Sequence, residues 1–202
     1  MRSSPLRRAT GLPLLLLVLA LSSACGESPS DPASGDADAL EALLAEEPAS
    51  PQDGVRPPFL RRLLGHAIHR VTEDAGADAA GRIRSRFERL QLAIREAREA
   101  GDEEAYRAAV LAWETEASRV VIRVLGPTVV RRVLHHASER LSAVRERVAA
   151  RAAEGQDVTR ARAILHRAGQ LLREARAALE AGDLPASLRL GARSLDALAH
   201  ID

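Results

Sequence analysis

The sequence predicts an all-α fold, an antiparallel up-and-down bundle of five to six helices, and three observations lead to it. From residue 58 onward, apolar residues recur in alternating steps of three and four, which places them on one stripe of a helix. Period-two alternation, the pattern of a half-buried strand, is almost absent. Glycines separate the stripes, and short turns of this kind make consecutive helices antiparallel.

Six stripes divide this region, and each is expected to face the core. Their members are Leu60, Leu64, Ala67 and Val71; Ile83, Phe87, Leu90, Ile94 and Ala97; Tyr106, Val110, Trp113, Ala117, Val120 and Val124; Val130, Leu134, Ala137, Leu141, Val144 and Val148; Ala161, Leu165, Ala168, Leu172, Ala175 and Leu179; and, in a shorter sixth segment, Leu184, Leu188, Leu195 and Leu198. About 145 residues bury nearly 70% of their unfolded surface, so stability requires neither metal nor disulfide.

The candidate helix ends are set by glycine, and aspartates follow as candidate N-caps. The glycines are Gly76, Gly101, Gly126, Gly155 and Gly182, and the aspartates are Asp102, Asp157 and Asp183. One stretch is ambiguous, because the β-branched residues at 120–122 and 129–130 would also suit a hairpin. The helical stripe continues on both sides of Gly126-Pro127, which favours a helix break; a kinked continuous helix is the other alternative.

Charge is distributed unevenly along the chain. Residues 26–54 carry eight acidic residues and no Arg, whereas residues 55–202 carry 26 Arg and 20 acidic residues. All 29 basic residues are Arg, as expected from a GC-rich genome, so part of the Arg excess reflects coding bias. The pattern predicts an acidic tether joined to a moderately basic domain.

The N-terminus has the features of an export signal. Arg2, Arg7 and Arg8 precede a run of about ten apolar residues, which is too short to span a membrane and typical of a signal peptide over residues 1–24. The run ends Leu21-Ser22-Ser23-Ala24-Cys25, which resembles the lipobox of bacterial lipoproteins. That resemblance implies acylation of Cys25 and a membrane anchor, and Gly26 in place of Asp implies the outer membrane, facing the periplasm. An ordinary signal-peptidase site is the alternative.

Residues 25–57 are expected to form a lipidated N-terminus and a flexible acidic tether, rich in Pro, Gly, Ser and Asp. A coil of some 30 residues spans roughly 30 Å, which holds the domain at 58–202 away from a membrane. Leu40, Leu43 and Leu44 lie at helical spacing within residues 37–47. This short helix either docks on a surface or forms transiently within the tether.

An internal similarity links residues 90–102 with residues 171–183, which share several positions and an Ala-Gly-Asp turn. Such helix–turn–helix units resemble tetratricopeptide repeats, and the resemblance implies a peptide-binding groove. The fourth and fifth segments exceed 20 residues, however, and the similarity fades after the turn. A peptide-binding solenoid is therefore retained as an alternative.

The sequence carries no catalytic motif, so no enzyme and no cofactor are expected. A single Cys excludes a Cys-rich metal site, and a lone Trp and a lone Tyr argue against nucleic-acid binding by stacking. His66 and His69, three apart on one helix, and His135 are the candidate metal ligands for a small-ligand or metal carrier. They lie off the apolar stripes, which favours surface histidines instead.

Two clusters of positive charge are the remaining candidates for recognition. Arg82, Arg86 and Arg89 form one, and Arg131, Arg132 and Arg140 form the other beside His136. Like charges one turn apart repel, so such stripes favour an anionic partner. The sequence therefore predicts a membrane-anchored, non-catalytic envelope module that contacts a protein partner, an anionic lipid or a glycan, and no nucleic acid.

Overall fold

A computed structural model describes residues 58–201 and, before them, Glu41, Ala42 and Leu44. The predictions for the signal peptide, for Cys25 and for most of the tether lie outside these residues. Six helices follow one another: α1 (Pro58–Ala75), α2 (Ala77–Glu99), α3 (Glu103–Leu125), α4 (Thr128–Ala153), α5 (Thr159–Glu180) and α6 (Leu184–Leu198). The described part of the chain contains no strand, and the all-α prediction is confirmed.

The helices end where glycine predicts. All five predicted glycines have φ between 69° and 84°, a left-handed conformation that a Cβ would strain. At Gly101 the amide donates to the Arg98 carbonyl at 3.1 Å, and the Asp102 amide donates to the Ala97 carbonyl at 3.0 Å. The same two bonds recur at Gly182 and Asp183 and again at Gly155 and Gln156, so the turn shared by the two similar segments is a helix end that the described residues use three times.

Asp102 and Asp183 are helix N-caps, as predicted, whereas Asp157 lies one residue before Val158, which is the N-cap of α5. The carboxylate of Asp102 accepts a hydrogen bond from the Ala105 amide at 2.9 Å, and that of Asp183 from the Ala186 amide at 3.0 Å. Asp157 accepts from the Thr159 amide at 2.9 Å, which lowers the pKa of its carboxyl group. Each bond satisfies a backbone donor that the first helical turn leaves unpaired.

The β-branched stretch around Gly126-Pro127 is helical on both sides. α3 ends at Leu125, Gly126 takes φ 81° and ψ 164°, and α4 begins at Thr128. The hairpin and the continuous kinked helix are therefore both wrong. α3 and α4 contact each other much less than the other consecutive pairs do, so this connection carries the chain from one part of the bundle to another.

The short sixth helix occupies the centre of the fold. α6 packs on α5, α4, α3 and α1, whereas α2 packs chiefly on α1 and α3. Its backbone approaches α4 closely: a Cβ at Gly191 would lie 2.9 Å from Leu134 Cδ2 and 3.2 Å from Val133 Cγ1. The last helix in the sequence thus organises the bundle, and α2 lies at its edge.

The predicted stripes form the core. Every stripe residue of α4 is buried, and the remaining stripe residues are buried or half-buried. Trp113 is 1% exposed, and its ring meets that of Phe87 edge-to-face with centroids 5.7 Å apart. Among the described helices, none has the length and apolarity required to cross a membrane.

Candidate functional site

An open groove of about 660 Å³ runs along the surface between α2 and α3. Its apolar part is formed by Leu90 from α2 and by Ala108, Leu111 and Ala112 from α3. Its polar part is formed by Arg86 and Arg89 from α2 and by Thr115, Glu116 and Arg119 from α3. The α3 residues from 108 to 119 extend over about three turns, or roughly 16 Å.

The polar part of the groove carries net positive charge. Glu116, whose side chain is 14% exposed, lies 3.1 Å from Arg86 Nη2 and 3.9 Å from Arg119 Nη1. Arg89 is exposed and has no ion pair with any residue that the structure describes. Three guanidinium groups therefore face one carboxylate, which leaves an excess of two positive charges.

Two leucines are the large apolar side chains most exposed to solvent in the described residues. Leu111 is 45% exposed and lines the groove. Leu92 is 46% exposed and lies on α2 outside the groove. The groove thus combines an uncovered leucine with a cluster of arginines, and Leu92 provides a matched residue for comparison.

The structure separates the six predicted arginines into two faces. Arg82, Arg86 and Arg89 are all exposed on α2, and the last two line the groove. On α4, Arg131 is exposed, whereas Arg132 and Arg140 are half-buried. Because α2 packs on α1 and α3 while α4 packs on α5 and α6, the two clusters do not form one basic surface.

Part of the acidic segment before α1 lies against the bundle near the α4 cluster. Glu41, Ala42 and Leu44 are helical, and Leu44 joins the hydrophobic core at 4% exposure. Burial lowers the pKa of His136, and the nearby carboxylates of Glu139 and Glu41 partly offset this effect. At this position, therefore, Leu44 is buried and the carboxylate of Glu41 lies near the imidazole of His136.

The three candidate metal ligands lie in different surroundings. His66 is half-buried, with its Nε2 atom shielded from solvent and without a hydrogen-bond partner in the described residues. His69 lies on the surface with Nε2 3.2 Å from Glu73, and His135 likewise lies 3.3 Å from Glu139. No group of three ligand-type side chains is gathered within residues 58–201 or at Glu41.

Ser138 follows His135 and His136 but has a structural role in helix packing. Its hydroxyl donates to the Leu134 carbonyl at 2.7 Å and accepts from Arg176 Nη2 at 2.7 Å. The bond from Arg176 joins α5 to α4, whereas the bond to Leu134 lies within α4. Neither bond involves a histidine.

Charged side chains inside the bundle connect α6 to its neighbours. Arg193 donates to both carboxylate oxygens of Glu114, and Arg189 donates to Thr115 Oγ1 at 3.1 Å. Burial raises the pKa of Glu114, and the Arg193 guanidinium limits the rise. Thr115 also lines the groove, so the buried network supports the α3 residues that face it.

Asp196 on α6 caps a different helix. Its Oδ1 accepts a hydrogen bond from the Phe59 amide in the first turn of α1, at 3.0 Å. Burial raises the pKa of Asp196 to about 7, which outweighs the lowering by this bond and by Arg62. The cap fixes the start of α1, the first of the six helices.

Comparisons with known proteins add no relative: no family model, curated protein or solved structure matches the chain. Sequence reasoning identified Arg86 and Arg89 but missed Glu116 and Arg119. Those two residues join the site only because α3 packs antiparallel to α2. Aligning α2 and α3 antiparallel about the Ala-Gly-Asp turn that joins them would have placed Glu116 and Arg119 near the α2 arginines.

Proposed function

We propose that this chain is a bacterial envelope lipoprotein whose helical bundle is a non-catalytic protein-interaction module. The observation that carries the proposal is the α2–α3 groove, where an uncovered Leu111 lies beside Arg86, Arg89 and Arg119. An exposed leucine in a concave surface with charges at its edge is the arrangement of a protein contact site.

Two properties of the groove favour recognition over chemistry. Its charged side chains are three arginines and Glu116, which lies within ion-pair distance of two of them. No histidine, serine, cysteine or lysine lines it, and its one hydroxyl, that of Thr115, accepts a hydrogen bond from Arg189. The lining residues therefore suit charge recognition better than nucleophilic chemistry.

The proposed anchor rests on the amino-acid sequence. Acylation of Cys25 would fix the chain to a membrane, and Gly26 favours the outer membrane. Because Leu44 packs into the bundle, the free part of the proposed tether would be residues 25–40, and a coil of that length spans roughly 20 Å between the lipid surface and the domain.

The anchor is tested by Cys25→Ser in the full chain. The wild-type protein should fractionate with membranes and carry lipid on Cys25 by mass spectrometry. The variant should enter the soluble periplasmic fraction or remain unprocessed. Unchanged membrane association of the variant, or an unmodified Cys25 in the wild type, would overturn the anchor.

The interaction role is tested by cross-linking in intact cells. Because the chain contains no Lys, reagents that target lysine amines would miss the domain, so a photo-reactive amino acid is placed at one exposed position on each face. Leu92, Leu111, Arg147 and His166 are suitable positions, all exposed. A discrete protein adduct from one face supports the proposal. Its absence from every face would contradict it.

A further inference from the structure

We propose that the α2–α3 groove receives an acidic amphipathic helix of a partner protein. The inference rests on the proposed interaction role and names the partner's chemistry. Such a helix would place leucine-type side chains on the apolar half of the groove and carboxylates on the arginine half. Helix-in-groove binding of this kind is one of the recurring modes of peptide recognition.

The dimensions of the groove suit a helix. Its α3 side extends over about three turns, and the edge of a bundle is where a further helix adds in register. Ala108 and Ala112, one turn apart and both exposed, are small enough to let another backbone approach. Leu111 lies between them with nearly half of its surface in water. Packing it against a partner would bury apolar area, which favours association.

The groove is polar at one end and apolar at the other. Along α3 the apolar residues 108, 111 and 112 come before Thr115, Glu116 and Arg119. The contact between Arg86 and Glu116 places Arg86 at the polar end, and because α2 runs antiparallel to α3, Arg89 and Leu90 lie about one turn nearer the apolar end. A partner helix therefore meets apolar contacts with Arg89 beside them and further charge contacts at Arg86 and Arg119.

The charge balance selects an acidic partner. Glu116 contacts Arg86 and Arg119, but one carboxylate cannot neutralise two guanidinium groups, and Arg89 has no carboxylate partner among the described residues. Carboxylates of a partner helix would form charge-assisted hydrogen bonds with these groups. A basic helix would add to the existing repulsion, so the groove discriminates by charge.

The chain itself provides an example of this recognition. Leu44 is buried in the bundle while Glu41, one turn before it, acts electrostatically on His136 of α4. The segment around them, residues 36–47, is acidic and has leucines at helical spacing. At this position the bundle already buries a leucine whose helical neighbour Glu41 lies near the imidazole side chain of His136 on α4. The α2–α3 groove offers the same two features, and Leu111 remains uncovered.

The shape of the site favours a helix over a membrane surface. A bilayer is flat on this scale and is contacted by protruding side chains, whereas Leu111 and the arginines line a concavity. Glu116 would also bring negative charge toward anionic lipid. Anionic vesicles therefore serve as a competing probe in the test.

The test measures binding of synthetic peptides to the full chain carrying Cys25→Ser. The probe is a labelled helical peptide of about 16 residues with leucines at positions i, i+3, i+4 and i+7 and glutamates beside them. Its control replaces each glutamate with lysine. We expect saturable binding of the acidic peptide by fluorescence anisotropy, and at least about tenfold weaker binding of the basic one.

Matched variants locate the site. Leu111→Asp and Arg89→Glu should each weaken binding of the acidic peptide about tenfold, since each removes a central contact and adds like charge. Leu92→Asp and Arg95→Glu change exposed α2 residues outside the groove and should alter binding less than about twofold. All four sites are exposed, so circular dichroism should report an unchanged fold.

Three results would overturn the inference: equal binding of both peptides, equal binding to the groove and control variants, or no peptide binding at all. Saturable binding to phosphatidylglycerol vesicles that Arg89→Glu abolishes would assign the groove to a membrane. If the peptide does not bind but cross-linking in cells gives protein adducts from another face, the interaction role is supported and only the acidic-helix partner is rejected. Absence of adducts from every face would remove the role itself.

Discussion

Arg193 on α6 donates two hydrogen bonds to the carboxylate of Glu114 on α3, from Nε to Oε1 at 2.9 Å and from Nη2 to Oε2 at 2.6 Å. The two partners are buried unequally: the Glu114 side chain is 2% exposed and that of Arg193 is 38% exposed. Glu114 is buried and Arg193 reaches water, so removing Arg193 and removing Glu114 should change the free energy of unfolding by different amounts.

Arg193→Met should destabilise the bundle by about 3 kcal/mol, because it leaves a buried carboxylate without a partner. Glu114→Gln should cost less, about 1–2 kcal/mol, since the partly exposed guanidinium can be hydrated. The double variant should cost less than the sum of the two single losses. Urea denaturation measures all three, and a larger loss for Glu114→Gln would contradict the account.

Asp196 makes stability depend on pH in a direction unusual for a carboxyl group. Its pKa rises from the ordinary value of 3.8 to about 7 in the fold, so the folded state holds a proton that the unfolded state releases. This stabilisation is complete below about pH 4 and is lost as the pH rises through 7. The groups that face it are Arg62 on α1, Glu114 on α3 and Arg193 on α6.

Asp196→Asn keeps an oxygen that accepts from the Phe59 amide but cannot ionise. Relative to wild type, the variant should therefore gain stability between pH 5 and pH 8, approaching about 4 kcal/mol at the upper limit. Comparing the two proteins at each pH removes the effect of His136, which titrates in both, and the remaining difference reports Asp196 together with its coupling to Glu114. A constant difference across this range would show that Asp196 does not titrate as described.

Trp113→Ala should cost about 3–5 kcal/mol, because the indole is fully buried and meets Phe87 edge-to-face. Leu111→Ala, two residues earlier on the same helix, serves as control and should change stability by less than about 0.5 kcal/mol. Thermal or urea unfolding of both variants checks the register of α3. Similar losses for the two would refute it.

The contact between the acidic segment and α4 predicts a change at His136. Glu41 raises the pKa of His136 against the lowering by burial, so Glu41→Gln should lower that pKa further. Leu44→Ser should have the same effect if burial of Leu44 holds Glu41 in place. Histidine NMR titration measures both, with the exposed Ala42→Ser as control. An unchanged His136 pKa in both variants would disprove the contact.

Local patterns explain why so much of the fold was predictable. A positive φ at Gly101 or Gly182 and an N-cap at Asp102 or Asp183 depend on a few adjacent residues, which the sequence displays directly. Trp113 and the α4 stripe follow from helical periodicity in the same way.

The features that were not predictable depend on which helices become neighbours. The α6 sequence carries the strongest apolar stripe of the six helices, which indicates burial, but it does not indicate which helices surround α6 or that Asp196 reaches the start of α1, 137 residues away in sequence. The groove is similar: Arg86 belongs to a basic stripe on α2, but its pairing with Glu116 requires the packing of α3. Long-range pairing, rather than local propensity, determines the site.

The most direct measurement of the central claim compares protein adducts from positions 111 and 92 in intact cells. The two leucines have nearly equal exposure, 45% and 46%, but only Leu111 lines the groove. With a photo-reactive residue at each position in turn, we predict a discrete protein adduct from position 111 that is at least about tenfold more abundant than any from position 92. Equal yields, or adducts from position 92 alone, would contradict recognition through the α2–α3 groove.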